Sequence, residues 1–117
     1  MPTIRVEIGG TDPVETVPAE ERRIDGAPQQ RFWNRHTDPS GRFSAGIWES
    51  EPGAWRVIYT EDELCHVLSG RMRIEGDDGS AAEYGPGDSF VVPSGFTGIW
   101  RVLETARKLY AVYEPGA

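Results

Sequence analysis

The chain has 117 residues, which is enough for one domain with a single core. Its formal net charge of −7 excludes the basic face that nucleic acids and anionic membranes require, so we expect neither as a partner. The single cysteine excludes an internal disulfide, and no segment is a long enough apolar run to span a membrane. These features predict a cytoplasmic protein.

The N-terminal part of the chain, residues 1–30, is poor in core residues and is predicted to form an extended arm. Residues 3–8 alternate polar and apolar side chains, which favours an edge strand or a strand exchanged with another subunit. One weak helical turn is expected near residues 18–22. The composition changes after residue 30, and residues 31–117 are predicted to form the folded domain.

Short strands separated by turns follow the arm. Aromatic and β-branched residues recur between turns that contain glycine, proline or aspartate, a pattern typical of an antiparallel sandwich or barrel. The predicted strands are residues 31–36, 42–50, 54–60, 63–69, 71–75, 81–84, 89–92, 98–104 and 108–114. The fold class predicted from this pattern is therefore all-β.

Two glycine-containing motifs occur in order along the domain. Glu63 lies seven residues before Gly70, and Gly87 lies six residues before the turn that begins at Pro93 and contains Gly95. Together these motifs resemble the two motifs of the cupin superfamily, and the similarity covers residues 43–113. Segments with local similarity to the branch of ureidoglycine aminohydrolase and ethanolamine-utilisation-type proteins are residues 46–48, 55–59, 63–65, 98–102 and 107–110.

The resemblance implies a cupin-type antiparallel jelly-roll barrel, formed by residues 31–117, with a pocket at one mouth. It also implies a homodimer, because cupin barrels commonly pair. The arm of residues 1–30 is then expected to lie on the partner subunit.

The metal ligands of typical cupins are absent from this sequence. The family's His-x-His pair is replaced by Val57 and Tyr59, and its later histidine is replaced by Gly98, so that only Glu63 remains. A catalytic metal needs three or four converging ligands, so neither a metal nor another cofactor is expected. His66 lies three residues after Glu63 and is predicted to face the outside of the barrel.

Strand alternation, together with the resemblance, predicts which residues line the barrel mouth. Aromatic walls with a few convergent polar groups are typical of sites for small molecules, here a small polar metabolite. The predicted ligand-binding residues are Tyr59, Glu63, Cys65, Trp100, Lys108 and Tyr110. Core packing is the simpler role for Cys65, because no histidine shares its face.

Three functional hypotheses remain open from the sequence. The first is binding of a small polar metabolite without a metal. The second is a metal-independent isomerase, lyase or hydrolase that acts on a ureido or sugar-acid compound, with Glu63 and Lys108 as the candidate catalytic residues. The third is a non-catalytic accessory protein that works through its dimer surface. Glu63 and Lys108 could also form only a structural ion pair. Trp33, Trp48 and Trp55 are expected in the core or at the dimer interface.

Overall fold

The computed structural model describes residues 1–115, and nearly all of its regular structure consists of β-strands. The strands are β1 (Val14–Thr16), β2 (Arg23–Asp25), β3 (Gln30–Thr37), β4 (Phe43–Ser50), β5 (Gly53–Ile58), β6 (Asp62–Gly76), β7 (Ala81–Tyr84), β8 (Ser89–Val92) and β9 (Thr97–Tyr113). A single 3₁₀ turn, Glu20–Arg22, lies where a weak helical turn was predicted. No helix within residues 1–115 is long and apolar enough to cross a membrane.

One curled antiparallel sheet contains all nine strands. The two longest strands, β6 and β9, pair with each other along most of their length. The first half of β9 also pairs with β5 and its second half pairs with β4, while β6 carries β7 and β8 on its other edge. The sheet thereby closes around one interior, which confirms the predicted antiparallel jelly roll.

The bend in the two long strands depends on Gly70. The register between β6 and β9 shifts three times between Val67 and Met72. Gly70 has a φ of +80°, and a Cβ at this position would lie 2.2 Å from the carbonyl oxygen of Thr105. A side chain therefore does not fit here unless the backbone moves.

The predicted strand breaks in this region are wrong. Residues 63–69 and 71–75 form one strand, and residues 98–104 and 108–114 also belong to a single strand, which ends at Tyr113. The physical reason is that a bulge bends a strand without ending its pairing. The bend carries both strands through the two halves of the barrel, so their inward side chains meet in one core.

The core consists of apolar side chains that alternate inward from both halves of the sheet. Its buried members are Trp55, Cys65, Val67, Met72, Ile74, Phe90, Val92, Trp100, Val102 and Ala106. Their burial confirms the expected packing role of Cys65 and places Trp55 in the core. Four aromatic residues are partly buried and pack against this cluster, namely Trp48, Tyr59, Tyr84 and Phe96.

Residues 3–8 form no ladder within this chain, so the predicted edge strand is wrong, while exchange of this segment with another subunit stays a prediction. The carbonyl groups of residues 7–10 instead accept hydrogen bonds from side chains on β3 and β9. The donors are Arg35 to Glu7 (3.2 Å), Arg107 to Ile8 (3.1 Å), Arg35 to Gly9, and Trp33 to Gly10 (3.2 Å). Side-chain donors thus satisfy the backbone groups that a neighbouring strand would otherwise satisfy.

Part of the predicted arm is built into the chain's own sheet. β1 pairs with β3, and β2 pairs with β5. Trp33 is covered on its outer side by Arg107, whose guanidinium carbon lies 5.3 Å from the ring centroid. Contact between the arm and a second subunit stays a prediction.

Candidate functional site

A buried ion pair lies inside the barrel, between β6 and β9. The Lys108 ammonium donates a hydrogen bond of 2.9 Å to Oε2 of Glu63, and the two residues are only 3% and 6% exposed. Both residues were predicted to line the barrel mouth, and an inward Glu63 needs a positive partner to offset the cost of burying its charge. Lys108 is also the only lysine in the chain, because all eleven other basic residues are arginines.

Further polar and aromatic contacts surround this pair. Tyr59 donates a hydrogen bond of 2.6 Å to Oε1 of Glu63, so both carboxylate oxygens have partners. Lys108 Nζ lies 3.5 Å from the sulfur of Cys65. The same nitrogen lies 4.2 Å from the ring centroid of Trp100 and 4.7 Å from that of Trp48, which are cation–π distances. The ammonium is therefore held by a carboxylate, a thiol and two indole faces.

Protonation in this cluster follows from burial and from the pair. Burial raises the pKa of the Cys65 thiol to about 12, although the Lys108 ammonium acts in the opposite direction. Burial, followed by the charge of Glu63, raises the pKa of Tyr59 well above its usual value. Burial alone would lower the pKa of Lys108, but its contacts with Cys65 and Glu63 outweigh burial and hold this pKa above its ordinary value. At neutral pH, Cys65 and Tyr59 are therefore protonated and Lys108 is charged.

The turn of the second motif holds Tyr59 and the start of β6 in place. The amide of Tyr59 donates to the carbonyl of Phe96, and the amide of Gly95 donates to the carbonyl of Tyr59, at 2.9 and 2.8 Å. Ser94 adds two bonds of 2.8 Å, from its amide to Asp62 and from its hydroxyl to the carbonyl of Thr60. These bonds clamp the loop between β5 and β6, so they fix the direction of Tyr59 and Glu63.

A cavity of about 250 Å³ opens beside the pair, and we call it the Trp cavity. Its lining combines four aromatic rings with one amide and three charged groups. The lining residues are Gln30, Trp48, Trp55, Val57, Tyr59, Glu61, Glu63, Trp100, Lys108 and Val112. A second cavity of about 410 Å³ shares Trp48, Glu63 and Val112 with it and is bounded also by Asn34 and Tyr110, which are joined by a hydrogen bond of 2.9 Å.

Four of the six predicted ligand-binding residues line the Trp cavity, namely Tyr59, Glu63, Trp100 and Lys108. Tyr110 lines only the neighbouring cavity. Cys65 is fully buried, lines neither cavity, and contributes its thiol to the environment of Lys108.

Several residues of the cavity wall were not predicted from the sequence. Gln30 lies at the boundary assigned to the arm, and Trp55 was placed only in the core or at an interface. The alternation of Trp55, Val57 and Tyr59 along β5 and its end was a usable signal, because all three line the cavity. His66 faces outward as predicted, and its Nδ1 lies 2.7 Å from the hydroxyl of Ser89.

The residues of this site do not fit the metal that typical cupins hold. Val57 lines the cavity where a ligand would be required, and Tyr59 is bonded to Glu63. At Gly98 a Cβ would lie 2.0 Å from the carbonyl oxygen of Glu75, so this position cannot carry a ligand side chain. Within residues 1–115, no three His, Cys, Asp or Glu side chains are grouped to bind a metal ion. The Lys108 ammonium supplies the positive charge beside Glu63 instead.

The first prediction concerns the stability that the pair confers. Lys108→Met leaves the Glu63 carboxylate buried without its cation, and we expect the free energy of unfolding to fall by about 3–5 kcal/mol. The double change Glu63→Gln with Lys108→Met leaves no buried charge and should recover part of this loss. Urea denaturation measures both effects.

The control for this experiment is Arg56→Met. Arg56 forms an ion pair of 2.8 Å with Asp77, but both side chains are exposed, so little stability should be lost. A Lys108→Met protein as stable as the parent would contradict the prediction, as would a double variant no more stable than Lys108→Met alone.

The second prediction concerns alkaline pH. The Cys65 thiol has a pKa of about 12 in the folded protein and an ordinary value of 9.0, so above pH 9 the unfolded chain loses this proton first. The free energy of unfolding should therefore fall as pH rises from about 9 towards 12. Cys65→Ala should make this fall less steep, as measured by urea denaturation at several pH values. Identical slopes for the parent and the variant would refute the assignment.

Comparisons with known proteins agree with this fold. The family model described as the EutQ-like cupin domain matches residues 37–110. A protein of unknown function of the DUF861 family from Pseudomonas syringae pv. tomato is 26% identical, with a TM-score of 0.79, and the match covers 87% of this chain and 44% of that one. This chain thus spans less than half the length of that protein.

Two further solved structures show the shared fold. The EutQ protein of Clostridium difficile is 23% identical, with a TM-score of 0.67 and coverage of 82% of this chain and 79% of its own. The Cnp3 cupin domain of Schizosaccharomyces pombe is 16% identical, with a TM-score of 0.64 and coverage of 91% and 90%. No protein of curated function matches the sequence. Because the family model matches more than half of the residues, the chain belongs to the family of EutQ-like cupin domains.

Proposed function

We propose that this cupin domain binds a small polar metabolite in the Trp cavity without a metal. The observation that carries the proposal is the position of the Lys108–Glu63 pair beside a cavity with four aromatic rings in its wall. A concave site with apolar walls and a few fixed polar groups is the usual architecture for binding small molecules. The cavity volume of about 250 Å³ suits a compact metabolite.

Binding is favoured over catalysis because the reactive groups are already engaged. Both oxygens of Glu63 accept hydrogen bonds, so a substrate would have to displace Tyr59 or Lys108 before Glu63 could accept a proton. The raised pKa of Cys65, about 12 because of burial, keeps its thiol protonated and therefore poorly nucleophilic. The Lys108–Glu63 pair is better suited to orient a bound ligand through fixed polar groups than to react with it.

The third prediction tests whether the Trp cavity is the binding site. Val57→Trp places a large ring in the cavity, whereas Ile58→Trp adds the same ring at an exposed position on the other face of the strand. A ligand that binds the folded parent raises its melting temperature by mass action. In a thermal-shift screen of small acids, sugars and amides, we expect hits with the parent and with Ile58→Trp, but not with Val57→Trp.

Two outcomes would contradict the proposed site. Hits that persist unchanged in Val57→Trp would place binding elsewhere on the molecule. A screen in which no compound stabilises the parent or changes its tryptophan fluorescence would favour the accessory role.

Conversion of a stabilising compound by the protein would establish the enzymatic alternative.

We also propose that a second copy of this chain packs on the outer face of β6 and β8. Leu64 and Val91 are paired in register there and are 47% and 60% exposed. Ala111 of β9 lies beside Leu64, and Ala45 of β4 lies beside Ala111, so the row continues across four strands. A continuous apolar row can meet its own copy across a two-fold axis.

The fourth prediction is that the protein is a dimer and that this row forms the contact. Leu64→Glu puts a charge in the middle of the row and should yield monomers, as measured by light scattering. Leu103→Glu is the control, because Leu103 is 44% exposed and lies outside the row. A parent protein that stays monomeric at high concentration would refute the dimer. An unchanged dimer in Leu64→Glu would place the interface elsewhere.

A further inference from the structure

Two buried hydrogen-bond donors have no partner within the described residues, and both belong to residues of the Trp cavity. They are Nε2 of Gln30 and Nε1 of Trp100. Gln30 is only 7% exposed, so its amide is largely shielded from bulk water. A buried donor without an acceptor is unfavourable, and nearly all such groups in folded proteins are paired. A ligand with an acceptor oxygen would supply what the protein itself lacks.

The amide of Gln30 limits the chemistry of that ligand further. A side-chain amide has both N–H donors and a carbonyl acceptor, and a rotation of 180° exchanges their positions. Another amide is its natural complement, because a carboxamide or lactam can donate to one end and accept from the other. An ester or ketone can only accept.

The charges of the cavity wall disfavour a charged ligand. The titratable residues with side-chain charges in the wall are Lys108, Glu61 and Glu63, so the formal charge is +1 − 2 = −1. An anion would meet two carboxylates. A cation would compete with the Lys108 ammonium, which already lies over the faces of Trp48 and Trp100. An uncharged ligand is neither repelled by the two carboxylates nor in competition with the Lys108 ammonium.

The aromatic walls favour a flat ligand. Trp55 and Tyr59 are inclined by only 16° and 17° to the plane of Trp100, with ring centroids 6.5 and 6.4 Å from its centroid. Rings that share one orientation stack well with another flat ring in that orientation. Saturated, puckered ligands would contact these faces less completely.

We propose that the Trp cavity selects an uncharged flat ring that carries a carboxamide or lactam group, with Gln30 as its specificity-determining residue. This inference rests on the proposed binding function. It adds the chemical class of the ligand and names Gln30 as the residue that recognises the amide group of that ligand.

Three probes of one size test the ligand class. Benzamide, benzoate and benzylamine share a ring and differ in charge at neutral pH. Titration followed by tryptophan fluorescence and by NMR chemical shifts should show binding of benzamide at least tenfold tighter than binding of either charged probe. Tighter binding of benzoate or benzylamine would overturn the ligand class and leave the binding function intact.

The variant Gln30→Leu tests whether the Gln30 amide contributes to ligand binding. We expect it to weaken benzamide binding about tenfold, the loss that one or two hydrogen bonds in a buried site would cause. Gln29→Leu, at the neighbouring residue that does not line the cavity, is the control and should bind as the parent does. The melting temperature of Gln30→Leu without ligand should not fall, because the change removes a buried donor that has no partner.

The remaining outcomes are also decisive. Equal benzamide affinity in Gln30→Leu and the parent would overturn the role of Gln30. If no probe binds while other polar compounds stabilise the parent, the ligand class is wrong and the binding function stands. If neither the probes nor any other compound binds, both proposals fail.

Discussion

The interior of this barrel depends on one buried ion pair. A carboxylate enclosed by apolar side chains is costly unless a cation and hydrogen bonds compensate for the lost water. Lys108 provides the cation for Glu63, and Tyr59 provides the second hydrogen bond. The indole faces of Trp48 and Trp100 also contact the ammonium. Two rings of the aromatic wall thus shield one pair of charges from water.

The same pair places a positive charge beside Glu63 in a cupin fold that lacks the metal ligands of typical cupins. The turn at Pro93–Gly95 now clamps the backbone around Tyr59 and leaves the start of β6 correctly placed. At Gly98, the close carbonyl of Glu75 leaves no room for a side chain. The backbone therefore leaves no space for a metal-binding side chain at Gly98. The site is suited instead to binding a ligand by shape and hydrogen bonds.

The pattern of short strands and turns predicted the all-β fold, and strand alternation together with the cupin motifs predicted that Glu63 and Lys108 share the barrel mouth. The motif glycines mark bends that few other residues accept, and a buried glutamate demands a partner, so both signals are local and strong. The unpaired amide of Gln30 could not be predicted, because it depends on what surrounds β3 after folding. The same holds for residues 3–8, whose alternation favours a strand but whose neighbours 7–10 bond instead to Arg35 and Arg107.

Because Lys108 is the only lysine, NMR of protein labelled with ¹⁵N at lysine Nζ tests the account directly. A buried, hydrogen-bonded ammonium exchanges its protons slowly with water. If Lys108 is paired with Glu63 inside the barrel, the protein gives one protected NH₃⁺ signal at neutral pH that shifts strongly in Glu63→Gln. A rapidly exchanging signal that Glu63→Gln leaves unchanged would show that Lys108 lies in solvent, and the central pair would then be wrong.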